Sequence, residues 1–297
     1  MARTMAPWTT PVDYVGGNVP ARPLGYAPPM LAPSKPVGDL LREWRQRRRM
    51  SQLDLALEAE VSTRHLSFVE SGRAQPSREM VLHLAERLDV PLRERNLLLV
   101  AAGFAPVFRE RALQDPALAA ARRAIDLVLK GHEPYPALAI DRHWTMVAAN
   151  AAATRLVAGV APSLLQPPVN VLRLSLHPDG VAPRILNLGQ WRAHLLHRLG
   201  QQVLASGDAV LQALQAELAA YPAPDHDEVP DPGAVVVPLR LHTGLGELSF
   251  LSTTTVFGTP VEVTLSELAI ESFFPADAAT ARILRDAAPL PEEPGPA

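Results

Sequence analysis

Apolar residues recur at helical spacing through residues 38–104 and are interrupted by short polar turns. Leu40, Leu41 and Trp44 mark the apolar face of a first amphipathic helix. Four more short helices are predicted to follow it, because residues that favour helix starts and ends recur along the segment. These boundary residues are Ser51, Ser62, Gly72, Ser77, Leu88, Pro91 and Gly103. The pattern predicts an all-α domain of five helices.

The pattern changes after residue 116. A helix is predicted over 116–131, with Pro116 in its first turn, as a link between two domains. Alternating or continuous apolar runs then predict β-strands, and Asn150 is predicted to cap a small Ala-rich helix. The predicted strands cover 137–141, 144–148, 235–241, 247–255 and 267–274, and two long helices cover 187–206 and 208–221. The chain is therefore expected to be α+β, with an all-α domain followed by a mixed α/β, PAS-like module.

Proline is concentrated at both ends of the chain. Residues 1–36 contain eight prolines and no apolar period, and the last ten residues contain four. Such segments cannot sustain a helix and bury little apolar surface. We therefore predict a disordered tail at 1–36, an all-α domain at 37–105, a linker helix and α/β domain at 106–286, and a second tail at 287–297. The stretch 222–233, which is rich in proline and aspartate, is predicted to be a loop.

Charge and composition exclude several classes of protein. The chain has no cysteine, which excludes disulfide scaffolds and thiolate metal sites. It shows no apolar stretch long enough for a membrane-spanning helix and no signal-peptide core, so a cytoplasmic protein is expected. The net charge of −3 speaks weakly against nucleic-acid binding, but it is unevenly distributed. Residues 37–105 carry eleven basic and ten acidic side chains, whereas 106–297 carry fourteen and twenty. The acidity therefore belongs to the C-terminal part.

The most informative stretch spans residues 50–77. Two short helices separated by a three-residue turn and followed by a glycine are typical of a helix-turn-helix unit. The stretch resembles the Cro/repressor-type (XRE family) helix-turn-helix, and the resemblance covers roughly residues 38–90. The matching residues are Ser51, Gln52, Leu55, Ala56, Val61, Ser62, Leu66, Glu70, Gly72, Arg73, Pro76 and Ser77.

The helix that begins at Ser62 is predicted to enter the major groove of operator DNA. Leu66 and Val69 are expected to face the core, which leaves Ser62, Thr63, Arg64, Ser67 and Phe68 as candidate DNA contacts. Arg64 is the best base reader, because a guanidinium can bond guanine O6 and N7 together. Phe68 contacts a thymine methyl group or packs on its own domain. The resemblance implies that Gln52 holds a phosphate at a helix N-terminus, and Arg73 is a second candidate phosphate contact.

The resemblance also implies a structural pair. In the family, the glutamate at the position of Glu70 pairs with an arginine of the first helix, here Arg45. We therefore expect Arg45 and Glu70 to stabilise the fold. The run from Arg45 to Arg49 is either a solvated helix face with one or two phosphate contacts or a more extensive phosphate-binding surface.

The C-terminal part resembles regulators with an MmyB-like ligand-binding domain over about 107–277. The resemblance rests on Pro136-Ala137-Leu138, Asp141 to Trp144, Asn150, Asn170 to Arg173, His177-Pro178, Trp191 and Phe274 to Asp277. It implies a PAS-like fold and a small apolar, fatty-acid-like ligand. The apolar wall of the predicted pocket consists of Trp144, Val147, Leu172, Leu176, Trp191, Leu195, Phe250 and Phe257. Arg173 or His177 is predicted to hold a carboxylate head group, and Asn150 is expected to be a helix cap.

Enzyme and metal sites are not indicated. The sequence has no nucleophile-elbow, metalloprotease or P-loop pattern, and no cofactor is expected. His194 and His197 share a helix face without further ligands at a recognisable spacing, and the acidic cluster at 225–228 lies in the predicted loop. We therefore expect a dimeric transcriptional regulator that binds double-stranded operator DNA and senses a small apolar ligand. The alternatives are a C-terminal domain that serves only dimerisation or protein interaction, and an enzyme fused to a DNA-binding domain.

Overall fold

The computed structural model describes residues 35–222 and 236–287, together with the backbone of a short strand, β1, at Val12–Tyr14. The rest of the predicted N-terminal tail lies outside the described residues. So do residues 288–297 and all of the predicted 222–233 loop except Pro222. No helix within the described part of the chain has the length and apolar character needed to cross a bilayer.

The first domain contains the five predicted helices. The side chains of Ser51, Ser62 and Ser77 cap three of them by accepting hydrogen bonds from backbone amides, and Ser51 forms a capping box with Asp54. Gly72 adopts a φ of +72°, the left-handed conformation expected after a helix end. The helices are α1 (Val37–Arg47), α2 (Gln52–Glu58), α3 (Thr63–Glu70), α4 (Arg78–Arg87) and α5 (Leu92–Ala101).

One apolar core unites these helices. Leu41, Leu55, Leu66 and Leu84 are essentially inaccessible to solvent, and each contributes roughly 1.5–3 kcal/mol by its burial. At Gly38 the first helix touches the end of α3. A Cβ atom there would collide with the carbonyl oxygens of Val69 and Glu70, so only glycine allows this approach.

The second domain is built on an antiparallel sheet. In place of the first turn of the predicted 116–131 helix, the chain forms a 3-10 turn at Pro116–Leu118. The domain also has three helices that the sequence did not predict, at Val171–Leu176, Val263–Ser266 and Ala278–Asp286. The strands are β2 (Ala137–Ile140), β3 (Met146–Asn150), β4 (Leu239–Thr243), β5 (Gly246–Val256) and β6 (Ala269–Pro275). The helices are α6 (Ala119–Gly131), α7 (Ala151–Leu156), α8 (Val171–Leu176), α9 (Leu188–Ser206), α10 (Ala209–Ala219), α11 (Val263–Ser266) and α12 (Ala278–Asp286).

The strands are ordered β1-β3-β2-β6-β5-β4, and every neighbouring pair is antiparallel. Three strands begin later than the sequence predicted, and one of them is β6, which begins at Ala269 in place of Glu267. β4 begins at Leu239, directly after Pro238, which has no backbone N–H to donate to a neighbouring strand. β3 begins at Met146, because Trp144 lies in a tight turn with a φ of +64°.

The two faces of the sheet carry separate cores. On one face α6 packs its buried residues Ile125 and Leu129 against the strands. On the other face α8, α9 and α10 cover a larger core that includes Leu172, Leu195 and Leu214. The cavity described below lies between this face of the sheet and α7, α8 and α9.

Candidate DNA interface and ligand cavity

The helices α2 and α3 form the helix-turn-helix unit. The turn between them contains Glu60, which has a φ of +52°. Leu66 and Val69 of α3 are buried in the helical core, as their spacing predicted. The N-terminal end of α3 faces solvent, with Ser62, Thr63 and Arg64 exposed. In such units the N-terminal residues of the second helix meet the base edges, so this end is the candidate DNA interface.

Arg64 and Phe68 lie one helical turn apart and contact each other. The guanidinium carbon of Arg64 lies 5.3 Å from the centre of the Phe68 ring, which is within the range of a cation–π contact. Phe68 and the neighbouring Ser67 are half-buried. Part of the ring therefore stays accessible to solvent, and the Arg64 guanidinium lies against it.

A buried ion pair joins α1 to α3. Arg45 donates from Nε to Glu70 Oε1 at 2.7 Å and from Nη2 to Oε2 at 2.8 Å, and Arg42 donates to the Glu70 backbone carbonyl. The Glu70 side chain has no solvent exposure. Burial by itself raises the pKa of Glu70, but the hydrogen bonds from Arg45 and Gln52 outweigh it and leave the pKa lowered.

The two candidate phosphate contacts, Gln52 and Arg73, differ in their exposure and in the contacts of their side chains. The half-buried Gln52 side chain donates from Nε2 to Glu70 Oε2 at 2.8 Å, so one amide N–H is engaged with the ion pair. Arg73 is exposed and follows Gly72 at the end of α3. In the sequence, Gln52 lies at the start of α2, before α3, and Arg73 lies shortly after α3.

Two arginines of the basic run in α1 contact the second domain. Arg47 donates to the carbonyl of Ser206 at 3.1 Å, and Arg48 donates to the carbonyl of Ala205. Arg48 also bonds the carbonyls of Leu88 and Asp89. Because the last carbonyls of a helix carry partial negative charge, cations at the end of α9 are favourable. These two side chains are therefore part of the domain junction.

A cluster of charged side chains forms the rest of the junction. Arg93 of α5 makes a bidentate contact with Glu267, with distances of 2.8 and 2.9 Å. Arg142 lies 3.5 Å from Glu94 of α5 and 3.5 Å from Glu267. Burial raises the pKa of Glu94. The turn between β2 and β3 thus touches the helical domain directly.

The cavity lies between the sheet and the helices α7, α8 and α9. It has a volume of about 120 Å³, and its mouth is partly open to solvent. Its lining is predominantly apolar. The walls include Leu138, Trp144, Met146, Ala153, Leu156, Leu165, Leu172, Trp191, Leu195, Leu239 and Phe273.

Two charged residues line the cavity at one end. Arg198 of α9 donates from Nη1 to Glu271 Oε2 at 3.0 Å and from Nη2 to Oε1 at 2.5 Å. Thr254 lies beside them and donates to Glu271 Oε1 at 3.0 Å. The guanidinium also lies 4.7 Å from the ring centre of Trp144, whose indole N–H donates to Gln202 at 2.7 Å.

Both domains match known families. Residues 121–287 match the MmyB-like transcription regulator ligand binding domain, and residues 41–95 match a helix-turn-helix family. The chain belongs to the family of MmyB-like transcription regulators. A comparison with curated proteins gave no match. The two families confirm a DNA-binding transcription regulator with a ligand-binding domain, and neither is a family of enzymes.

The cavity of this MmyB-like regulator includes four of the ten residues that the sequence placed in a pocket. These four are Trp144, Leu172, Trp191 and Leu195. Leu176 and Phe250 are buried in the same core without lining the cavity. Val147, on the opposite face of β3, and Phe257, which follows the end of β5, pack against the α6 core.

The two predicted head-group residues also lie outside the cavity. Arg173 follows the inward-facing Leu172 on α8 and therefore points outward, where it bonds Glu217 at 2.7 Å. His177 accepts a hydrogen bond from the Asp179 amide at 3.0 Å and packs edge-on against Tyr221. The charged residues that do line the cavity, Arg198 and Glu271, were missed by the sequence reasoning.

The sequence carried a weak signal for both missed residues. Glu271 is a lone carboxylate within the apolar run 269–275, and Arg198 follows the cavity residue Leu195 by three positions on α9. Asn150, as expected, caps α7 by accepting from the Ala153 amide. Among the described residues no group of metal-ligating side chains occurs, and the 225–228 cluster lies outside them.

Proposed function

We propose that α3 reads an operator sequence, that two copies of the chain bind a roughly palindromic site, and that a small apolar molecule in the cavity changes the affinity for DNA. The helix-turn-helix match and the exposed N-terminal end of α3 support the first part. Units of this type bind two half-sites as dimers, which supports the second. The apolar cavity in a matched ligand-binding domain supports the third.

The observation that carries the sensing proposal is that two elements lining the cavity also contact the DNA-binding domain. Helix α9 contributes Trp191, Leu195 and Arg198 to the cavity, and its C-terminal carbonyls accept hydrogen bonds from Arg47 and Arg48 of the DNA-binding domain. The turn that carries the cavity residue Trp144 also carries Arg142, which pairs with Glu94 of α5. A ligand that moves either wall therefore moves a contact with the DNA-binding domain.

The proposed mechanism is a shift between two arrangements of the domains. A ligand that binds one arrangement more tightly raises its population. In a dimer, the arrangement of the domains sets the spacing of the two recognition helices, and hence the affinity for a given operator. A ligand that binds both arrangements equally would have no effect, however tightly it binds.

The first test measures operator binding with and without an apolar probe. The operator is selected from random duplex DNA, and its affinity is measured in the absence and presence of saturating dodecanoate or dodecanol. We expect at least one probe to change the affinity by about fivefold or more, the lower end of typical coupling between sites. Ala153→Phe, which places a large ring in the cavity wall, is expected to abolish the response and leave operator binding intact.

Two results would contradict the sensing proposal. One is an operator affinity that no probe changes. The other is a native mass spectrum of protein purified from cells that shows a clean dimer with no retained small molecule. Together they would favour the alternative in which the C-terminal domain serves only dimerisation or protein interaction.

The Arg142→Ala variant tests the route between the domains. Its ion pairs are partly exposed, so the loss of stability is expected to be about 0–1 kcal/mol. Removing the contact with Glu94 is expected to bring the ratio of operator affinities with and without probe toward one, while probe binding is retained. Arg155→Ala removes a comparable ion pair with Glu133 within the second domain and should keep the full response. Equal responses in both variants would exclude this route.

Further parts of the proposal concern architecture and location. The boundaries proposed are 37–105 for the DNA-binding domain and 106–286 for the linker helix and sensor. A PAS-like fold for the sensor is supported by an antiparallel sheet in which the last strand, β6, pairs with the first strand of the β2-β3 hairpin. The helices α8, α9 and α10 cover one face of this sheet, and α6 covers the other. A cytoplasmic location is proposed because operator DNA is the proposed partner.

A further inference from the structure

The charged end of the cavity indicates the chemistry of the ligand's head group. Arg198 and Glu271 are the only charged side chains among the described residues that line the cavity. Their two hydrogen bonds are charge-assisted and bidentate, so the positive charge of Arg198 is already neutralised by a protein carboxylate. The polar end of the cavity is thus an intact ion pair without a surplus positive charge.

We propose that the cavity selects an apolar molecule with an uncharged head group that donates a hydrogen bond, such as an alcohol or a primary amide, and that Glu271 is the acceptor. The proposal rests on the proposed function, because it specifies the ligand class of the same cavity. It replaces the expectation of a carboxylate head group held by Arg173 or His177, since both side chains lie outside the cavity.

The hydrogen-bonding capacity of Glu271 supports an uncharged donor. A carboxylate offers about four lone-pair positions. Within the described part of the chain, Arg198 occupies two of them and Thr254 occupies one. The remaining position can accept from a hydroxyl or an amide N–H of the ligand, but not from a carboxylate, which has no hydrogen to donate.

Electrostatics disfavours a carboxylate head group in the same place. A ligand carboxylate beside the pair would add a second negative charge within a few ångströms of Glu271, in a site lined mainly by apolar groups. Displacing Glu271 from Arg198 would not remove the cost, because Glu271 is only 4% exposed and would become a buried unpaired charge.

The experiment compares three probes with the same chain length. Dodecanol, dodecanamide and dodecanoate are titrated into the full-length protein at neutral pH, and binding is followed by the fluorescence of Trp144 and Trp191, which line the cavity. We expect dodecanol and dodecanamide to bind at least about tenfold more tightly than dodecanoate. This difference is smaller than the free-energy cost of placing two like charges in contact.

The variant Glu271→Gln removes the negative charge and keeps the shape of the side chain. It is expected to strengthen dodecanoate binding and so to abolish or reverse the preference. Glu217→Gln is the matched control, since Glu217 forms the same bidentate pair with Arg173 outside the cavity. This control should keep the preference of the unmodified protein.

The outcomes separate this inference from the proposed function. Tighter binding of dodecanoate than of dodecanol and dodecanamide by the unmodified protein would overturn the head-group assignment and leave the ligand-sensing proposal standing. Binding of none of the three probes would overturn both. The comparison on the unmodified protein decides the matter even if Glu271→Gln fails to fold.

Discussion

Glu70→Ala is expected to lower the free energy of unfolding of the DNA-binding domain by about 3–5 kcal/mol, because it leaves the Arg45 guanidinium buried without its carboxylate partner. Gln52 also loses the hydrogen bond that it donates to Glu70 Oε2, and Arg42 loses its ion pair with the same oxygen at 3.6 Å. Urea denaturation of the full-length protein, followed by far-UV circular dichroism, measures the loss.

Two comparisons test the origin of this loss. Glu86→Ala removes an exposed carboxylate of the same domain and should change stability by less than about 0.5 kcal/mol. The double variant Arg45→Met/Glu70→Leu removes both charges and should recover most of the stability. A double variant as unstable as Glu70→Ala would show that the cost arises from packing and not from the unpaired charge.

The same pair makes a prediction about pH. The pKa of Glu70 is lowered in the folded protein, so its ionised form is favoured by folding. The stabilisation is therefore fully present above the pKa of a glutamate in the unfolded chain and is lost as the pH falls through the lower, folded value. Urea midpoints measured from neutral to acidic pH should fall less steeply in Arg45→Met/Glu70→Leu than in the unmodified protein.

Arg64→Ala is expected to relax base preference at one position of each operator half-site. The difference in binding free energy between the preferred base and the other bases at that position should fall by about 1–3 kcal/mol. We expect this because Arg64 is exposed near the start of α3 and its guanidinium lies against the Phe68 ring. Affinities are measured for the selected operator and for duplexes that carry each base at each position. The expected change is confined to one position and its symmetry mate.

Arg73→Ala is the matched comparison. Arg73 is exposed and follows the helix-turn-helix unit. If its guanidinium contacts a phosphate, its removal should weaken binding about equally for all sequences. The slope of log K against log salt concentration should become shallower by about one. Equal weakening of all sequences by Arg64→Ala as well would assign Arg64 to a phosphate and leave the base reader to be found among Thr63 and Ser67.

The helical domain was predictable from the sequence because its signals are local. Serine caps, glycine and proline boundaries and the 3.6-residue apolar period each act within a few residues of the chain. The structure has the same five helices, with Ser51, Ser62 and Ser77 as caps. The pairing of Arg45 with Glu70 was reached through family resemblance, since nothing local connects two residues 25 positions apart.

The cavity was only partly predictable. Trp144, Trp191, Leu172 and Leu195 were found because large apolar residues must be buried somewhere. Hydrophobicity alone does not tell which side of a sheet a residue packs on, so Val147 of β3 and Phe257, which follows β5, were assigned to the cavity although they pack against the α6 core. Arg173 was chosen for its charge, but the period of α8 turns it outward.

The sequence by itself determined the helical domain, the order of the main strands and long helices in the second domain and the face of α3 that is exposed, because capping, period and turn chemistry are short-range. Only the tertiary structure decided that Arg47 and Arg48 contact the end of α9 and that Arg142 reaches Glu94. It alone also paired Arg198 with Glu271 inside the cavity. These contacts join residues 48 to 159 positions apart, and such separations are set by how the sheet and helices pack, which no local pattern records.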